Sequence, residues 1–301
     1  IGAGSKAKRA ALLRALGDSK ATLYFLLVSS VLNVVLDLVF VAGLGMGVAG
    51  AAIATGLSQC VGGVLPLVYF LRPNSSLLRL SSTRLRLRPI LAACGNGSSE
   101  LMSNISSSLV SMVYNLQLLR LAGEDGVSAY GVLMYVQFIF ISIYIGYSIG
   151  CAPVVSYHYG AQNHGELKNL LGKSVLLMGI TGVALTALAM ALADPLARLF
   201  VGYDAELFAL TSHAFRLFAW SFLLAGFNIF ASGFFTALNN GGVSAAISFL
   251  RTLVFQSASV LILPVFFGVD GIWWAITVAE VFAFLISVLF LLAKRGKYHY
   301  M

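Results

Sequence analysis

Long apolar runs, broken at intervals by small clusters of Gly, Asn and Asp, dominate this chain. Eight runs are readable, near 20–44, 47–71, 89–121, 126–157, 166–193, 207–237, 242–267 and 271–293. Each is long enough to cross ~30 Å of hydrocarbon as a helix. Backbone polar groups at that depth have no water to bond, so such runs predict helices that satisfy their own N–H and C=O groups. The breaks carry turn chemistry: 43–47, 123–126, 239–242 and 268–271 are rich in Gly, Asn and Asp, which tolerate the reversals other residues resist. The pattern predicts an all-α polytopic membrane protein.

Composition sharpens that reading. The 301 residues are 59% hydrophobic and 10% charged, with a mean hydropathy of +0.91. A soluble domain of this size has too little interior for so much apolar surface. The formal charge of +8 raises nucleic acid as a partner, but its placement argues against it. Of 19 Lys and Arg, fifteen lie before or at the start of the first run, between the second and third, in the first turns of the fifth, or after the last. Acidic residues Glu124, Asp125, Asp194, Asp204, Glu206 and Asp270 occupy the alternate connections. That asymmetry is the positive-inside pattern, so the charge reports topology, with both chain ends cytoplasmic and no nucleic acid expected.

Three organisational expectations follow. Residues 73–88 form a basic linker between an N-lobe remnant at 1–72 and a C-lobe at 89–301. The first and last hairpins look like parallel repeats: Gly47-Val48-Ala49-Gly50-Ala51 matches Gly268-Val269-Asp270-Gly271-Ile272, at 31 and 30 residues from Leu16 and Leu238. The last hairpin completes six helices, whereas the first has none before it, and the chain opens at Ile1 with no Met. The expectation is the last eight helices of a twelve-helix, two-lobed protein. Cys60, Cys94 and Cys151 lie in separate apolar runs without CxxC spacing and are read as packing thiols.

Polar groups at membrane depth carry the candidate chemistry. Asp37 is stranded in the apolar stretch 22–45, where an ionisable side chain costs roughly 2.5–3.5 kcal/mol on insertion scales. Asn33 lies one turn earlier on the same face. Counted from the turn at 45–47, Thr55 faces the level of Asp37, and Ser58 and Gln59 that of Asn33. Such oxygens suit a proton or sodium site; helix-joining polar contacts are the plainer alternative.

A second cluster lies on the third run. Glu100, Asn104, Ser108, Ser111 and Asn115 recur at helical spacing as one stripe, which must face a neighbour or a water-filled cavity. A substrate cavity lined by Glu100, Asn104, Ser108 and Ser111 is expected. Tyr135, Tyr144 and Tyr147 lie deep enough to offer aromatic faces to a cation, with Tyr135 and Tyr147 assigned to that cavity, while Tyr130 and Tyr157 are read as interfacial anchors. Arg251 and Glu280 either pair or act apart, the first snorkelling and the second gating; spacing does not decide.

Gly146-Tyr147-Ser148-Ile149-Gly150 matches GxSxG, but an esterase elbow needs a strand–turn–helix context and this match lies inside an apolar helix. Gly146 and Gly150 instead predict a close helix contact. There is no HExxH, Walker A loop or dinucleotide fingerprint, so neither zinc chemistry nor ATP drive is expected.

The residues Asn33-Val34-Val35-Leu36-Asp37, followed by Gly47-Val48-Ala49-Gly50-Ala51-Ala52-Ile53-Ala54-Thr55, resemble the multidrug and toxic compound extrusion (MATE) family. Tyr157-His158-Tyr159-Gly160-Ala161-Gln162-Asn163 and Asn96-Gly97-Ser98-Ser99-Glu100 look like its bacterial branch. The resemblance implies a two-lobed 6+6 helix antiporter of the bacterial inner membrane, expelling small organic cations on a proton or sodium gradient. It implies no cofactor, no enzymatic activity, and no metal beyond a sodium ion at Asp37. It also assigns Asn33, Asp37 and Thr55 to a cation or proton site, likens Glu100 to an acid of the family's seventh helix, and finds Asn228 where some members carry an acid on the tenth. A monomer is expected. The rival readings are a lipid-linked oligosaccharide flippase of the same superfamily, an intramembrane serine hydrolase at Ser148, and a passive channel.

Overall fold

The computed structural model describes residues 19–71 and 87–300, and every regular element among them is helical. The chain divides into two compact units, Ile1–Leu85 and Arg86–Met301. Residues 73–86 of the expected linker at 73–88 lie outside the described residues.

The first unit is a hairpin. Helix α1 (Ser19–Asp37) runs directly into a π-helical segment, Leu38–Gly43, and α2 (Gly47–Leu71) returns. Gly45 and Gly47, at φ +64° and +54°, make the reversal in a region that L side chains rarely enter. Further along, a Cβ on Gly62 would lie 2.9 Å from Ser29 Oγ, and Ser29 donates to the Ser58 carbonyl at 2.8 Å. A small residue there lets the two helices meet closely enough for a hydroxyl to bridge them.

The second unit opens with α3 (Leu87–Asn96) and a long α4 (Ser98–Gly160). A straight helix of 60 residues would be about 90 Å long, roughly three times the hydrocarbon thickness. It does not run straight. Gly123 adopts φ +66°, ψ −155°, and the chain folds back there, so that Tyr130 stacks on Tyr114 with ring centroids 5.1 Å apart. The seven membrane-length apolar helical stretches among the described residues therefore contain eight crossings, as the hydropathy pattern predicts. Tyr130 is not the interfacial anchor expected: it is buried, because the fold-back at Gly123 brings it against Tyr114.

The remaining elements are α5 (His164–Val201), α6 (Ala205–Phe218), a 3-10 turn at Ala219–Ser221, and α7 (Phe222–Ala237). They continue through α8 (Gly241–Phe249), a π segment at Leu250–Gln256, α9 (Ser257–Phe267) and α10 (Val269–Tyr298). Three helix starts are capped by side chains: Asp204 accepts from the Glu206 and Leu207 N–H groups at 2.9 and 3.1 Å, and Asn163 and Asn240 cap α5 and α8. The stretch Ala205–Ala237 is the central one, with more than half of it buried and α7 packed on α4, α5, α8 and α10. Phe222, Phe234 and Phe235 fill the space between those helices, while Gly226 and Gly233 admit side chains of α4.

Candidate functional site

In the first unit, Asn33 and Asp37 stand one turn apart on α1, and both are half-buried while most of the surrounding apolar side chains are exposed. Asp37 is the last residue of α1, at the junction with the π segment. Its Oδ1 is buried without a hydrogen-bond partner, and so is Asn33 Nδ2. Leaving such an atom unsatisfied costs about 1–3 kcal/mol. Thr55 is exposed on α2, and its hydroxyl donates to the Ala51 carbonyl at 2.9 Å, which leaves the oxygen able to accept or to ligate a cation. Ser58 is buried and donates to the Thr55 carbonyl; Gln59 is exposed. The structure thus sets Asn33 and Asp37 side by side with unmet polar valence, and commits the Thr55 proton to its own helix.

The second unit holds a polar centre that hydropathy alone leaves open. Glu280, on α10, is only 2% exposed. Arg251 reaches it from the π segment, with Nε 2.9 and 3.0 Å from the two carboxylate oxygens and Nη2 2.6 Å from Oε1. Asn228 of α7, fully buried, donates from Nδ2 to Glu280 Oε2 at 2.7 Å and to the Glu280 carbonyl at 3.0 Å. Ser287 donates to Asn228 Oδ1 at 3.0 Å. Of the two options the sequence left, Arg251 and Glu280 pair. The signal for it was there: opposite charges in one apolar hairpin are costly unless they meet.

The polar stripe of the third run is partly gathered into a groove. Ser108, Ser111 and Asn115 line a space of 640 Å³ together with Met112, Leu116 and Glu124. Ser108 also donates to the Asn104 carbonyl at 3.2 Å, and Asn104 is exposed. Glu100 belongs to α4 by its backbone, but its side chain lies outside those described.

The tyrosines take other places. Tyr135 is 71% exposed, away from the groove lining. Tyr144 is fully buried and donates to the Phe222 carbonyl at 2.8 Å. Tyr147 shares a 2.8 Å hydrogen bond with Ser174 and packs on Phe230. Burial against α5 and α7 thus uses Tyr144 and Tyr147 as packing groups. Ser148 sits mid-helix in α4, with its Oγ 2.0 Å from where a Cβ on Gly233 would stand. Among the described residues the expected close contact at Gly146 and Gly150 is not made, since a Cβ at either meets nothing within 4 Å. The notch is on the partner helix instead, at Gly233.

A family model described as MatE matches residues 101–259. The multidrug export protein MepA of Staphylococcus saprophyticus subsp. saprophyticus is 25% identical over 289 residues, an alignment covering 94% of this chain and 62% of that protein. The chain therefore spans less than two thirds of the length of the curated relatives it matches. The crystal structure of a MATE protein in complex with MaL6 is similar with a TM-score of 0.88 at 23% identity, over 96% of this chain and 66% of that one. An outward-facing multidrug resistance MATE family transporter of the MOP superfamily matches with a TM-score of 0.87 at 24% identity, over 96% and 65%. These two likenesses show the shared fold.

Proposed function

The chain belongs to the MatE family, and on that premise we propose that it serves a secondary-active antiporter that expels small organic cations against a proton or sodium gradient by alternating access. Asp37 is the coupling acid, and Asn33 and Thr55 are its co-ligands. The observation that carries this reading is the unmet pair of buried atoms, Asp37 Oδ1 and Asn33 Nδ2. Turning the Asn33 amide by half a rotation exchanges its nitrogen and oxygen, so one position offers a donor to an empty carboxylate and an acceptor to a bound cation. Neutralising Asp37 by a proton or a sodium ion lowers the cost of burying it, and that difference biases which conformation the protein prefers.

The groove beside Ser108, Ser111 and Asn115 supports a role in holding cargo. Its walls are mostly hydroxyl, amide and apolar, with Glu124 as the carboxylate, a mixture suited to a drug-sized cation with an apolar body. The charge asymmetry of the connections supports a bacterial inner-membrane orientation with the C-terminus cytoplasmic. The protein works as a monomer and needs no cofactor beyond the coupling ion.

The test is Asp37→Asn in the product of the native gene. Gradient-driven efflux of ethidium is lost while the protein still reaches the membrane. Efflux at the unmodified rate refutes the coupling role, and the ion whose gradient restores efflux to the parent protein identifies the partner.

A further inference from the structure

Glu280 is the more deeply buried acid, yet its surroundings are those of a spent site. A carboxylate beside an amide and a hydroxyl, inside an apolar bundle, has the donor set of a proton or monovalent-cation site. Here the cation's place is taken. Two nitrogens of Arg251 lie within 3.0 Å of the carboxylate and cover both oxygens. The amide is committed as well. Because Ser287 donates to Asn228 Oδ1, the amide must turn its nitrogen toward Glu280, and that nitrogen donates to Oε2 and to the Glu280 carbonyl. An amide held in this sense favours an anion, and has no oxygen left to turn toward an incoming ion. Asn33 has no such constraint beside Asp37.

We infer that Arg251 is a tethered cation that fills the ion-binding face of Glu280 throughout the transport cycle, so that this buried carboxylate takes up no exchangeable cation. Arg251 is a positioning residue: it acts on Glu280 and touches no cargo. A guanidinium stays charged at any physiological pH, so its hold on the carboxylate does not relax as pH changes. On α4 the Tyr144 hydroxyl is already spent on the Phe222 carbonyl.

A hairpin does not need charges to close at this level. Counted from the turn glycines Gly268 and Gly47, Glu280 corresponds to Gln59 and Arg251 to Ser30, and the first hairpin is bridged there by Ser29 on the Ser58 carbonyl. The charged pair in the last hairpin therefore has a role beyond joining two helices. It supplies a fixed neutral centre beside the central helix α7.

The experiment is labelling with dicyclohexylcarbodiimide, an apolar reagent that attacks carboxyl groups only when they are protonated, followed by peptide mass spectrometry of the native gene product. Glu280 is expected to be modified at least about tenfold less than Asp37 near pH 6, because Arg251 holds both of its oxygens by charge-assisted hydrogen bonds while Asp37 Oδ1 has none. Arg251→Met, which removes those hydrogen bonds, raises Glu280 modification at least about tenfold, whereas Arg251→Lys leaves it low. Glu280 labelled as fast as Asp37 in the parent protein overturns the inference, as does Glu280 labelling that added sodium slows. An Arg251→Met protein whose Glu280 stays unlabelled also overturns it, because shielding rather than charge is then responsible. Should Arg251→Met not reach the membrane, Arg251→Gln takes its place, and the parent comparison stands regardless. The inference draws on the coupling role of Asp37 only for its reference rate. An unlabelled Asp37, with efflux kept in Asp37→Asn, sinks that role; a reactive Glu280 sinks this one.

Discussion

Arg251 and Glu280 form a closed ion pair across the last hairpin, with the Arg251 side chain 17% exposed and Glu280 2%. A buried pair of this kind is weak evidence for stability as a whole, because desolvation offsets much of the attraction, but removing one member leaves a stranded charge.

Glu280→Ala is therefore expected to destabilise the protein by about 3–5 kcal/mol, with Glu280→Gln milder because it keeps a hydrogen-bond acceptor for Arg251. Replacing both residues by Met restores most of the loss. Thermal unfolding in detergent, followed by tryptophan fluorescence, checks the order: single Ala lowest, double Met near the parent. A double variant as unstable as the single one contradicts the account.

Gly233 and Ser148 give a steric test with a built-in rescue. A Cβ on Gly233 would stand 2.0 Å from Ser148 Oγ but 3.4 Å from Ser148 Cβ. Gly233→Ala should cost about 1–3 kcal/mol through overpacking, and Ser148→Ala in the same chain should recover most of it. The midpoint of thermal unfolding for the two singles and the double reads the coupling directly. Additive losses would mean that the helices part at this contact rather than clash.

The groove makes a prediction about cargo. Ser111→Trp fills the space beside Asn115 and Met112 and should abolish dye efflux without lowering protein level. Glu124→Gln should raise the KM for a cationic dye up to about fivefold, the range of an exposed ion pair, and leave a neutral dye untouched. Equal effects on both dyes would remove Glu124 as a charge-sensing residue.

The eight crossings were legible because hydrocarbon thickness sets a length that apolar runs either meet or miss, and Gly123 was marked as a break before its φ of +66° was known. Asp37 and Asn33 were legible for a similar reason: an acid at depth is conspicuous, and i, i+4 spacing within α1 keeps both on one face. Which of the two options held for Arg251 and Glu280 was not settled by spacing. Counting back from the turn sets Glu280 level with Gln256, five residues from the true partner. The π segment Leu250–Gln256 intervenes, and each residue it adds to the 3.6-residue period rotates the following face by about 100°. The contacts of Tyr144 and Tyr147 were not legible for a different reason, since depth along a helix says nothing of which neighbour a side chain meets.

The sequence by itself determined how many membrane-length runs the chain holds, where its charges cluster between them, and that Asp37 must be accounted for. All three follow from local quantities: run length, charge placement, and the cost of one acid in oil. Only the tertiary structure decided that Arg251 neutralises Glu280, that Asn228 and Ser287 complete that centre, and that Gly233 rather than Gly146 or Gly150 is the notch between α4 and α7. Those are contacts between residues 29 to 85 positions apart in the chain, and the rotation of each helix about its own axis, which sets them, is a property of the packed bundle.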